Sequence, residues 1–338
     1  MTRNGIWNPT DSASPDIPIF VEWGDAMSDL QRYIVEEWAE DYQRGRLDRR
    51  EFLRRIALMA GGAALAVPML QSLGLAASPS EIAEATAERV TLTAQATGVT
   101  VPPNDPSLEA SMVTYPGASG QAFAYVAKPR GSGPFPGVVV IHENRGLLEH
   151  FKDIARRLAK EGYAALAVDL ASHQGGTERY AADLAQVSAI LGQTPPEQHV
   201  AALNAAVRHL QGVSGVRRDR IGAMGFCFGG GMTWRLATQH ADLRAAVPFY
   251  GSNPPIADVS KIRAAVSAIY AARDDRINAG IPQVREAMQT ARVAHEITIY
   301  AGADHGFFND TGTRYNRDAA TAAWQQTLNW FSRYLRTA

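Results

Sequence analysis

The 338-residue chain holds one cysteine, and glycines surround it: Gly225-Phe226-Cys227-Phe228-Gly229, followed by Gly230 and Gly231. A thiol attacks as its thiolate, and a helix N-terminus or a cationic neighbour favours that form. An apolar strand pattern over 220–225 precedes the run and a helical pattern over 229–240 follows it. Cys227 therefore falls on a sharp strand-to-helix turn, the setting that presents a nucleophile at the end of a strand. The glycines on either side let the backbone approach itself closely, and Gly230 and Gly231 let the helix pack on the sheet. A lone cysteine forms no disulfide within the chain, so it is either reactive or a small core residue in a glycine-rich turn.

Two further strand ends bear on that choice. A strand pattern over 265–272 ends at Arg273-Asp274-Asp275-Arg276-Ile277, and another over 296–300 ends at Ala301-Gly302-Ala303-Asp304-His305-Gly306-Phe307. The chain order is nucleophile, acid, base. In such a set His305 takes the thiol proton, and Asp274 or Asp275 fixes the histidine tautomer and stabilises the imidazolium. A fourth strand end carries His142-Glu143-Asn144-Arg145-Gly146. This loop and the residue after the nucleophile are where oxyanion donors are expected, here the backbone N–H groups of Asn144 and Phe228. Glu143 is expected beside the sulfur, where its carboxylate accepts the resting thiol proton; a salt bridge from Glu143 to Arg145 is the plainer reading. The chemistry implied is attack on an acyl carbonyl, followed by hydrolysis of the acyl-enzyme. No H-E-x-x-H, Cys/His cluster, G-x-x-x-x-G-K or G-x-G-x-x-G occurs, so neither metal nor cofactor is expected.

Positioning these residues requires regular alternation of strand and helix. Strand patterns cover 111–115 and 121–127 (a hairpin about 116–120), 137–142, 163–169, 220–225, 245–250, 265–272 and 296–300. Helical patterns cover 149–160, 180–191, 197–210, 229–240, 282–291 and 318–334. Val138, Val139, Val140 and Ile141 form the continuous β-branched run expected of a strand buried on both faces. Alternation of this kind predicts an α/β fold, a mainly parallel sheet with helices on both faces and ligands at the carboxyl ends of the strands.

Apolar residues make up 46% of the chain, and 33 Lys and Arg nearly balance 34 Asp and Glu, which gives no reason to expect a nucleic-acid partner. The N-terminus is organised differently. Asp48-Arg49-Arg50-Glu51-Phe52-Leu53-Arg54-Arg55 leads into an apolar stretch, 56–77, that is interrupted by Pro68, Gln71 and Ser72 and ends at Leu75-Ala76-Ala77. This resembles a twin-arginine export signal, which implies the twin-arginine export machinery as a partner and an exported, periplasmic protein, membrane-associated if uncleaved. A buried or membrane-anchoring helix is the alternative. Ahead of it, Leu30, Ile34, Trp38 and Tyr42 recur at every fourth position among acidic residues, an amphipathic helix that needs an apolar surface. The body, a second subunit (making a homo-oligomer rather than a monomer) or a membrane would serve. The organisation expected is an N-terminal helix and signal over 1–78, a linker over 79–108 that holds at most one short helix, and an α/β body over 109–338.

Taken together, V-V-V-I-H-E-N-R-G at 138–146, A-V-D-L at 167–170, G-F-C-F-G-G-G at 225–231, Y-A-A-R-D-D-R-I at 270–277 and D-H-G-F-F-N-D at 304–310 resemble the dienelactone hydrolase (carboxymethylenebutenolidase) family. The resemblance extends over residues 110 to 338. It implies an α/β-hydrolase fold, a Cys227-His305-Asp triad and a small ester or lactone as substrate. The family's Y-x-x-x-D spacing falls on Asp274 rather than Asp275, and its thiol-pairing glutamate falls on Glu143. Two carboxylate-binding arginines of the family do not match: His173 stands at one position and Asn309 at the other. Arg145, Arg179 and Arg314 are candidates to replace them. Dienelactone is accordingly not the expected substrate. A thioesterase or polyester-type esterase on the same site, or an exported scaffold without catalysis, are the competing functions.

Overall fold

A computed structural model of the chain describes residues 27–87 and 99–336. The chain divides into two compact units, Met1–Arg89 and Val90–Ala338.

The first unit contains helices α1 (Asp29–Gln43), α2 (Arg49–Ala60), α3 (Ala63–Ser72) and α4 (Pro79–Ala87). Ser28 and Gln31 form a reciprocal capping box that starts α1. The apolar stretch after the paired arginines is not one helix. Gly61 takes the left-handed conformation (φ 82°), which closes α2, and α3 sets off at 110° to it. Among the described residues no single helix is long and apolar enough to cross a membrane, although the bent pair passes by length and composition together. Arg49 pairs with Glu81 at 2.9 Å and donates to the Ala76 carbonyl at 2.7 Å, and Arg50 donates to the Glu84 carbonyl at 3.4 Å. The short helix expected within the linker over 79–108 is α4, and α2 contacts it through Arg49 and Arg50.

The second unit is built on an eight-stranded sheet. Its elements are β1 (Leu108–Gly117), β2 (Gly120–Pro129), β3 (Phe135–Ile141), α5 (Glu149–Lys160), β4 (Ala164–Val168), α6 (Leu184–Gln193), α7 (Pro196–Gly212), β5 (Val216–Phe226), α8 (Phe228–Gln239), β6 (Ala245–Phe249), β7 (Ala265–Ala271), α9 (Asp275–Asn278), α10 (Ile281–Thr290), β8 (His295–Tyr300) and α11 (Arg317–Phe331). Strand order is β1-β2-β4-β3-β5-β6-β7-β8. The hairpin pairs antiparallel, β2 pairs antiparallel with β4, and all later pairs are parallel. The helix expected over 180–191 starts later, at Leu184: Thr177–Tyr180 forms a short 3-10 turn, and the Asp183 carboxylate caps α6 by accepting from the Ala185 amide. The last helix ends at Phe331 and runs on as a wider π turn, Ser332–Arg336.

Val138 to Ile141 have no exposed surface, as a strand flanked by helices on both faces requires. Register decides where the loops emerge. Ile141 sits opposite Gly225, Phe226 opposite Phe249, Phe249 opposite Ile269 and Ala271 opposite Tyr300. The carboxyl ends of β3, β5, β6, β7 and β8 therefore lie along one edge, and every residue assigned chemistry from the sequence follows one of them, except His173 and Arg179, which follow β4.

Candidate active site

Cys227 is the one residue between β5 and α8, with φ 56° and ψ −120°. A side chain with a Cβ is strained there, at a cost of about 1–3 kcal/mol, so the surroundings must impose the conformation. They do so through the backbone. The Cys227 amide donates to the Phe249 carbonyl at 3.0 Å, and its own carbonyl accepts from the Gly230 and Gly231 amides at 2.9 and 3.2 Å. The neighbouring glycines are dictated by contact. A Cβ on Gly225 would lie 2.2 Å from the Gly229 carbonyl oxygen, one on Gly229 2.4 Å from that of Ile141, and one on Gly230 2.3 Å from that of Phe249. The turn is thus pressed against the ends of β3 and β6, and Cys227 is buried. Phe228 opens α8, where an amide has no intrahelical acceptor.

His305 Nδ1 lies 2.6 Å from Asp274 Oδ2, and both residues are buried. Burial opposes ionisation of Asp274, but the charge and hydrogen bond of His305, with help from Arg276, outweigh it and hold the carboxyl below its ordinary range. A carboxylate facing Nδ1 places the ring proton there and turns Nε2 into the basic nitrogen. The adjacent Asp275 is exposed and opens α9. The Cys227 sulfur and a His305 ring nitrogen lie within 4.8 Å of each other.

Glu143 is held by two neutral donors. Asn309 Nδ2 donates to its Oε2 at 2.9 Å, and the Tyr250 hydroxyl to its Oε1 at 3.4 Å. Tyr250 sits at the end of β6 with φ 34°, its ring 5.1 Å from that of His305. Burial, then the charges of Glu143 and Cys227, push its hydroxyl far above the ordinary tyrosine range, so it remains a donor. At the root of the Glu143 loop, the Leu170 amide donates to His142 Nε2 at 3.1 Å, and His142 Nδ1 donates to the Glu143 carbonyl at 2.6 Å. Burial lowers the pKa of His142, which keeps it neutral in this bridging role. Sequence reasoning assigned no role to Tyr250 or His142; the strand end at β6 was the signal available for Tyr250.

Of the remaining residues, Asn144 is buried and Arg145 half-buried in the loop after β3. The Arg314 guanidinium lies against Gly306, the residue after His305, where a Cβ would be 3.4 Å from its Nε. Asn309, read as a substrate contact, donates to Glu143. His173 is not brought to this group. It contacts Thr194 Oγ1 at 3.1 Å and lines a recess with Tyr115, His199 and the hairpin turn, which none of Cys227, Asp274 or His305 lines.

A mainly parallel sheet with a cysteine on a strained turn after β5, and an Asp–His pair drawn from the ends of β7 and β8, defines an α/β-hydrolase. Pyrococcus horikoshii acylaminoacyl peptidase shares this fold at 16% identity, covering 68% of this chain and 42% of that one, with a TM-score of 0.54. The dienelactone hydrolase family model matches residues 123–335. A candidate carboxymethylenebutenolidase of Synechocystis sp. is 32% identical over 243 residues, covering 68% of this chain and 98% of that protein. The crystal structure of a candidate dienelactone hydrolase from Klebsiella pneumoniae is similar at 32% identity, covering 67% of this chain and 99% of that one, with a TM-score of 0.62. A dienelactone hydrolase-like promiscuous phosphotriesterase from metagenomic libraries is similar at 27% identity over 68% of this chain and 99% of that one, with a TM-score of 0.56. The chain belongs to the dienelactone hydrolase family and is a carboxylic ester hydrolase.

Proposed function

We propose that the protein hydrolyses small esters or lactones with Cys227 as nucleophile, His305 as base and Asp274 as its orienting acid. The observation that carries this reading is the approach of the Cys227 sulfur to within 4.8 Å of a ring nitrogen of His305, whose Nδ1 is tied to Asp274 at 2.6 Å. Resting sites are often looser than the reacting complex. Cys227 transfers its proton to His305 and attacks the carbonyl carbon, breaking the carbonyl π bond. The amides of Phe228 and Asn144 receive the oxyanion. Collapse expels the alkoxide, which takes the proton from His305 and leaves a thioester on Cys227. His305 then draws a proton from water, hydroxide adds to the thioester, and the carboxylic acid is released as the departing Cys227 sulfur takes that proton back from His305. In the resting enzyme the Glu143 carboxylate accepts the thiol proton as a hydrogen bond, and substrate binding frees the thiol.

With His173 and Asn309 standing where the family's two arginines would be, the preferred substrates carry no carboxylate of the dienelactone kind. Cys227→Ala is expected to abolish hydrolysis of p-nitrophenyl butyrate. Wild-type turnover by that variant refutes the nucleophile. Export rests on the motif around Arg49 and Arg50: replacing both with lysine is expected to retain the protein in the cytoplasm, and unchanged fractionation refutes the signal.

A further inference from the structure

Asp310 ends the segment that begins at His305, and its carboxylate is held from two directions. Oδ1 accepts from His150 Nδ1 at 2.9 Å, and Oδ2 accepts from the Arg157 guanidinium at 2.5 Å. Both donors lie on α5, the helix that follows the Glu143 loop. His150 is buried, packed edge-on against Phe151, Phe226 and Phe308. Arg157 is fixed in turn by Asp153, which it meets through Nε at 2.6 Å. The neighbouring Asn309 is oriented as well: its Oδ1 accepts from the Thr311 amide at 3.0 Å and hydroxyl at 2.6 Å, which leaves Nδ2 to face Glu143.

We propose that Asp310 is a positioning residue of the hydrolytic site: by stapling the segment after His305 to α5, it keeps the Asn309 amide on the Glu143 carboxylate and so sets that carboxylate beside the Cys227 thiol. This rests on the Cys227-His305-Asp274 reading. A carboxylate is needed at 310 because both partners donate. An amide would turn an N–H₂ toward one of them, and a buried donor facing a donor is unfavourable. Two loops from opposite ends of the chain's second unit are thereby joined twice, once at the carboxylate that serves the thiol and once behind it. Asp310 acts through Asn309 and Glu143, not on the reacting atoms.

The test is Asp310→Asn, read by the pH dependence of Cys227 alkylation with iodoacetamide beside steady-state hydrolysis. Releasing Glu143 removes a like charge from the thiol, so the alkylation midpoint is expected to fall by about one pH unit. kcat/KM is expected to fall roughly ten-fold, because small misplacements of catalytic groups cost that much or more. Asn309→Ala should give the same shift, and the double variant no more than either single one, since both act through one contact. His150→Phe keeps the aromatic packing and removes one donor. It should shift the midpoint in the same direction, and it serves if Asp310→Asn does not fold. A lower melting temperature with an unmoved midpoint, or additive effects with Asn309→Ala, overturns the proposal. Esterase activity in Cys227→Ala overturns the reading beneath it; an inactive Cys227→Ala with an unmoved midpoint in Asp310→Asn overturns the positioning role alone.

Discussion

Asp274→Asn isolates the buried Asp–His pair. The 2.6 Å contact between Asp274 Oδ2 and His305 Nδ1 is charge-assisted once the imidazole takes the thiol proton. A hydrogen bond to a charged group contributes about 1.5–3 kcal/mol. Losing it would slow the reaction by roughly ten- to a hundred-fold, at about 1.4 kcal/mol per decade. A second effect adds to this. The asparagine amide can present N–H to Nδ1, which moves the ring proton to Nε2 and removes the base, a change worth up to ~10⁴-fold in a serine enzyme. We therefore expect kcat/KM for p-nitrophenyl butyrate to fall at least about 10²-fold, with melting temperature recorded in parallel to exclude unfolding. Asp275→Asn, at an exposed position one residue on, should stay within about two-fold of wild type, as isolated surface changes do. Wild-type turnover by Asp274→Asn, or an equal loss in Asp275→Asn, would refute the reasoning.

Strain at the nucleophile makes Cys227→Gly more stable than Cys227→Ala by about 1–2 kcal/mol, since only glycine takes φ 56°, ψ −120° without penalty; chemical denaturation of the two inactive variants measures it. Gly229→Ala forces a Cβ to 2.4 Å from the Ile141 carbonyl, which belongs to a central strand and cannot retreat, so a loss of about 1–3 kcal/mol or insoluble expression is expected. Folding lowers the pKa of Asp274 and Asp310 against burial, the former through His305 and the latter through His150 and Arg157. A depressed carboxylate stabilises the fold above its unfolded pKa, near about 4, and that stability drains away as pH falls through the folded value. The part of the stability that these two carboxylates supply should therefore be level near neutrality and be lost below about pH 4, and the decline in that window should be shallower in Asp310→Asn; equal slopes there in urea titrations at stepped pH would contradict this.

The amino-acid order alone carried the features whose physics is local. Glycines at 225, 229 and 230 around a lone cysteine announce a tight strand-to-helix turn, because no other residue tolerates backbone at 2.2–2.4 Å from its Cβ. The run Val138-Val139-Val140-Ile141 announces a strand covered on both faces, and the motifs at the strand ends announce the family. Local signals also misled: the pattern over 180–191 hid the Asp183 cap, and the apolar stretch over 56–77 hid the left-handed Gly61 that bends α2 from α3. What only the tertiary structure decided are the pairings of residues far apart in the chain. Asn309 meets Glu143 across 166 positions, Asp310 meets His150 across 160, and Tyr250 meets Glu143 across 107. Such contacts follow from sheet register and loop closure, which no window of sequence encodes. His173 likewise follows a strand end as the others do, yet β4 lies on the far side of β3 from β5, and His173 lines a recess with Tyr115 and the hairpin turn that Cys227 does not line.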